Sequence, residues 1–258
     1  DQYKIVLSKV PNALHAMAAL AGAALRAANY DEAIKWYTQV VGKQPRNASL
    51  WANLGLAYGG KGLWKEEVEN YRKSLALNPK DPVVHFNLAT AYEKGKKELE
   101  AAAEYQKVLT LKPDDLDALQ RLADMDLRAK RFQQAIKRYE RIVKVAPNRT
   151  ASYAKLGFAY GELNKHQQAV ENYEKAIKKG AKEPQLLYNL AYAYEQLGRT
   201  KEAIREYEKY AALHPTVPVL NILAEYYMKE KQYDGALKQY KKITELDPKN
   251  AAAYSGIG

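Results

Sequence analysis

The stretch WANLGLAYGGKGLWKEEVENYRKSLALNP, residues 51–79, carries the pattern on which the fold rests. Trp51, Leu54, Gly55 and Tyr58 fall at i, i+3, i+4 and i+7, the spacing of one face of an α-helix. Gly62 ends that helix. Val68, Tyr71 and Leu75 form a second stripe. Asn78-Pro79 stops it, because the residue before a proline is driven out of the helical region. The stretch predicts a helical hairpin that cannot bury both stripes by itself, so it must stack on neighbours of its own kind.

Those neighbours are visible on either side. Tyr37, Tyr71, Tyr105, Tyr139, Tyr173 and Tyr207 recur at a step of 34, and Tyr240 follows after 33. Pro45, Pro79, Pro113, Pro147, Pro215 and Pro248 keep phase with them, with Ala181 in the gap. Four places before each tyrosine stands a small residue, Ala33, Ala101, Ala135, Ala169, Ala203 or Ala236; Glu67 breaks that column. A fixed period of this length is the signature of a stacked repeat architecture.

These residues resemble the tetratricopeptide repeat family over nearly the whole chain. Residues 51–79 carry its Trp, Leu-Gly, Tyr, Gly, aromatic and Pro signature in order, and LYNLAYAYEQLGRTKEAIREYEKYAALHP, residues 187–215, follows closely. The departures are local: Ala24 and Asp126 stand where most copies have tyrosine, and Glu67 where they have a small residue. The resemblance implies an all-α fold, an α-solenoid of antiparallel helix pairs winding into a right-handed superhelix with a concave groove.

The period sets the expected organisation as a single array over 1–258. Residues 1–13 read as the end of a preceding repeat, with Tyr3 and Pro11 in phase. Seven full repeats follow at 14–47, 48–81, 82–115, 116–149, 150–183, 184–216 and 217–250, and 251–258 begins another. Such ends suggest a segment of a longer protein, whose open terminal helices invite end-to-end self-association.

Composition narrows the chemistry. The 258 residues include no cysteine, which excludes disulfides, thiolate metal sites and cysteine nucleophiles. No run of apolar residues is long enough to span a bilayer. His15, His85, His166 and His214 are scattered without metal-ligand spacing. Gly55–Gly62 resembles a phosphate loop, but Gly62 stands where a hydroxyl should hold magnesium and no strand precedes it. No nucleophile–base constellation is present. The expectation is therefore no enzyme, no metal and no cofactor.

What remains points to partner binding. Asn53, Asn87, Arg121, Lys155 and Asn189 occupy one column of the first helices, almost opposite the buried stripe. The resemblance implies that this face lines the concave groove. Amides can donate to and accept from a peptide backbone, and the cations can bind carboxylates. Phe86, Phe158, Tyr188 and Tyr192 interleave with them as candidate apolar anchors. A protein or peptide segment is the expected partner. The carboxylate clamp of some family members, for chaperone tails, is not matched, because Ala52, Leu56 and Asp117 stand at three of its five positions. A second reading makes the array the recruiting arm of a larger enzyme, for which the asparagine column weakly resembles that of N-acetylglucosamine-transferring glycosyltransferases. A third uses the basic column Lys73, Lys107, Arg141, Lys175, Lys209 and Lys242, within a net charge of +11, for an anionic partner. The 30 interspersed acidic residues and the lack of a nucleic-acid motif disfavour nucleic acid.

Overall fold

The computed structural model describes residue 10 and residues 13–258; Tyr3 and Pro11 lie outside them. Among the described residues there is no strand, and the helices follow in pairs. These are α1 (Leu14–Arg26) with α2 (Tyr30–Lys43), α3 (Ala48–Gly60) with α4 (Trp64–Leu77), and α5 (Pro82–Lys94) with α6 (Glu98–Leu111). Next come α7 (Leu116–Arg128) with α8 (Phe132–Val145), α9 (Thr150–Glu162) with α10 (His166–Lys178), and α11 (Pro184–Gln196) with α12 (Thr200–Leu213). The series ends with α13 (Val217–Lys229), α14 (Tyr233–Leu246) and the short α15 (Ala251–Ile257). The chain forms two compact units, the first reaching Met125 and the second starting at Asp126.

One turn joins the two helices of every pair. The residue two places before the second helix takes a left-handed φ in all seven copies: Ala28, Gly62, Lys96, Lys130, Asn164, Gly198 and Lys231. In the 51–79 hairpin, Leu63 N–H donates to the Tyr58 carbonyl and Gly62 N–H to the Gly59 carbonyl. The same two bonds recur at Arg131 to Asp126 with Lys130 to Leu127, and at Arg199 to Tyr194 with Gly198 to Glu195. This is the Schellman closure, which satisfies the last carbonyls of the first helix. Glycine suits the position, yet only Gly62 and Gly198 supply it; the other five copies hold side chains at φ of 55 to 58°.

The core follows the sequence columns. Tyr71, Tyr105 and Tyr139 are fully buried, Tyr37, Tyr173 and Tyr207 nearly so, and the alanine column is closed to solvent. Tyr240, beside the last short helix, is half-buried. Where the proline column fails at Ala181, α10 stops at Lys178 and Pro184 opens α11.

The two charged departures are absorbed locally. Asp126 is buried and accepts from Arg131 Nε at 2.8 Å and from Arg138. Glu67 is only 3% exposed and pairs with Lys94 Nζ at 2.9 Å. Its carboxylate occupies the space beside Gly59, where a Cβ would come within 2.4 Å of it. Burial raises the Glu67 pKa above the ordinary carboxylate value, against the opposing effect of Lys94.

Candidate partner-binding surface

The first unit holds Asn53, Asn87, Arg121 and Phe86; the second holds Lys155, Asn189, Phe158, Tyr188 and Tyr192. Within each unit the polar column does more than face outward. Asn53 lies beside the Tyr37 hydroxyl and Asn189 beside that of Tyr173, each asparagine against the tyrosine of the preceding repeat. Burial raises the pKa of both phenols, so each stays a neutral hydroxyl. Arg121 lies 3.5 Å from Glu93, the carboxylate that accepts from Tyr105 at 2.8 Å. These side chains therefore lie near the hydroxyls of the tyrosine column while remaining part of the surface. Tyr71 is the exception: its buried hydroxyl has no hydrogen-bond partner. Asn87, which follows it in the column, instead lines a cavity of about 160 Å³ with Val83, Phe86 and Asp117. Lys155 is half-buried.

The four aromatic candidates divide into two kinds. Phe86 packs edge-on against Tyr105 at 5.2 Å, and Tyr188 against Tyr207 at 5.4 Å and Tyr210 at 5.3 Å. Both are half-buried members of the repeat packing. Phe158 and Tyr192 differ, being 40% and 48% exposed. Together with Asn189, Tyr173 and His166 they line a cavity of about 280 Å³ in the second unit.

His166 was not among the expected site residues. It opens α10, its ring stands edge-on to Tyr192 at 6.5 Å, and its Nδ1 is buried without a hydrogen-bond partner. The sequence carried only a weak signal: the same repeat position holds Tyr30, Trp64, Phe132 and Tyr233 but also Glu98 and Thr200, so the imidazole there does not stand out.

Three of the six members of the basic column are engaged with carboxylates. Lys73 meets Glu69 at 2.7 Å and sits 4.8 Å over the Trp51 ring; Lys107 meets Glu104 and Lys209 meets Glu206, each at 2.8 Å. Among the described residues no helix is long and apolar enough to cross a membrane, and no three His, Asp or Glu side chains are grouped to hold a metal ion.

Paired helices, a common turn and a phased aromatic core define a helical-repeat protein of the solenoid class. Family patterns described as tetratricopeptide repeat match residues 1–48, 19–82 and 154–218, and others match 114–179, 70–103 and, as TPR repeat, 225–258. The chain belongs to the tetratricopeptide repeat family, and the repeats support a protein-interaction scaffold. No curated protein matches the sequence significantly. Among solved structures, the C-terminal part of a TPR repeat-containing protein from Cytophaga hutchinsonii is 17% identical, with a TM-score of 0.74 over 92% of this chain and 98% of that one. MamA from Desulfovibrio magneticus RS-1 is 22% identical, with a TM-score of 0.57 over 64% of this chain and 94% of that one. YrrB, described as a TPR protein with an unusual peptide-binding site, is 15% identical, with a TM-score of 0.63 over 71% and 94%. At these identities the likeness is one of fold.

Proposed function

We propose that this protein binds an extended or helical segment of a partner protein, and that the Phe158–His166–Tyr192 cavity takes one of that segment's polar side chains. The observation that carries this reading is the buried, unpartnered Nδ1 of His166 beneath two exposed aromatic rings. A desolvated polar atom without a partner is costly, and a hydrogen bond from an incoming segment would relieve it. Exposed aromatics beside such a group are what interface hot spots are made of. Asn189 would orient the segment's backbone, and Asn53, Asn87, Arg121 and Lys155 would extend the contact in their own units. The description of YrrB as a peptide-binding TPR protein agrees with this reading. The paired state of Lys73, Lys107 and Lys209 counts against the basic column as the main contact surface.

The test is a phage-displayed random peptide selection on the whole protein, followed by affinity measurements. Selected peptides should bind Tyr192→Ala and Phe158→Ala roughly tenfold or more weakly, the loss expected of hot-spot aromatics. Both rings are about half exposed, and circular dichroism melts establish that each variant is folded at the temperature of the binding measurement. Peptides that bind both variants as well as the parent would remove this surface from the function.

A further inference from the structure

A second cavity lies in the first unit, away from the asparagine column. His85 and Asn87 are two residues apart on α5 and so point to opposite sides of it. On the His85 side, α4, α5 and α6 line an open cleft of about 590 Å³, within the range of small-molecule sites. Its walls are mainly Leu75, Leu88, Leu111 and the Tyr92 ring.

Comparison with the preceding repeat explains why this space is open. Trp51 occupies the position equivalent to His85, and its indole N–H donates to the Pro45 carbonyl at 2.8 Å. His85 Nε2 meets the Pro79 carbonyl at 3.0 Å, with the same six-residue spacing. The anchoring bond is kept while the benzo ring of the indole is missing. The inner polar groups are saturated: His85 Nδ1 meets Glu104 at 2.6 Å, and the other Glu104 oxygen accepts from Lys107 at 2.8 Å. Lys107 retains further donors, and Arg72 stands 5.7 Å over the Tyr92 ring and meets no carboxylate among the described contacts. Around this cavity two cations face one carboxylate, so the entrance carries a positive excess.

The geometry points to a binding site for a small amphipathic carboxylate, its hydrocarbon part among Leu75, Leu88 and Leu111 and its head at Arg72 and Lys107. The apolar wall of the cleft supplies the affinity for the tail. The paired cations select an anion over a neutral or positive head. This site is separate from the Phe158–Tyr192 cavity, so either reading can fail without the other.

The test is isothermal titration calorimetry of the whole protein with decanoate, decanol and decylammonium below their aggregation limits. Decanoate should bind saturably at one site, more tightly than decanol, and decylammonium should give no saturable signal. Ala76→Phe, placed on the exposed rim to fill the space, and Arg72→Gln/Lys107→Gln should each weaken decanoate roughly tenfold or more. His85→Trp, which restores the neighbouring repeat's solution, should do the same. Circular dichroism melts establish that each variant is folded. Absence of saturable decanoate binding, or equal binding by folded Ala76→Phe, would overturn the proposal.

Discussion

Gly59 and Glu67 offer a quantitative check on how the array absorbs an out-of-place charge. Gly59 lies in the last turn of α3 with an ordinary helical backbone, so alanine there should gain about 1 kcal/mol of helix propensity. In the parent chain, however, the new Cβ would sit 2.4 Å from the Glu67 carboxylate, which is enclosed and tied to Lys94. Moving it strains the side chain and loosens a charge-assisted bond, together about 1–2 kcal/mol once the exposure of Lys94 is discounted. Gly59→Ala alone should therefore be neutral or destabilising by about 1 kcal/mol. In a Glu67→Ala background the obstacle is gone, and the same change should stabilise by about 1 kcal/mol. The double-mutant cycle thus predicts a coupling of about 1–2 kcal/mol. Urea unfolding of the four proteins measures it. All three tryptophans, Trp36, Trp51 and Trp64, lie in the first unit, so their fluorescence follows the part of the chain that is changed. Effects that add within about 0.5 kcal/mol would show that the carboxylate does not need the space left by the glycine.

Two other outcomes follow from the packing. Tyr71→Phe deletes a buried hydroxyl that has no partner, and should leave the thermal midpoint unchanged or higher; Tyr207→Phe deletes a donor to Glu195 at 3.0 Å and should cost about 1 kcal/mol, so the two melts should separate in that order. Lys130→Gly relieves a left-handed residue that Gly62 and Gly198 occupy without strain in their repeats, and should stabilise by about 1 kcal/mol in urea unfolding.

The helix pairs and their core were legible in the sequence because they rest on residues that recur. A tyrosine every 34 residues, followed by its proline, reports a buried ring and a helix stop wherever it stands. The polar column was legible as a column, but its second role was not. Periodicity says which side chains share a face; it does not say that Arg121 meets Glu93, the carboxylate that holds the Tyr105 hydroxyl. The same limit hid the contrast between Tyr188, held by two tyrosine rings, and Tyr192, left exposed four residues on. Glu67 read as a broken contact because its compensation lies eight residues back, in a glycine that carries no side chain to signal it.

Both cavities arise from one kind of substitution. In a repeat array each position is packed by the same neighbours in every copy, so a column sets the volume that its residue should fill. Position 85 belongs to a column that holds the rings of Trp51 and Tyr153 beside Met17, Leu119, Leu187 and Leu220, and position 166 to one that holds the rings of Tyr30, Trp64, Phe132 and Tyr233 beside Glu98 and Thr200. An imidazole is smaller than any of these rings and brings two polar atoms where the others bring at most one. Placed in such a slot it leaves space and a local hydrogen-bonding demand together. At His85 that demand is met internally, by Pro79 and Glu104, and an apolar hollow with a cationic entrance remains. At His166 it is not met, and the hollow keeps an unpaired nitrogen between exposed aromatic rings. The first arrangement suits a ligand held by its hydrocarbon and its charge; the second suits a segment that can complete a hydrogen bond. The two histidine positions thus differ in what they leave for another molecule to satisfy, an apolar surface with cations at one and an unpaired nitrogen at the other.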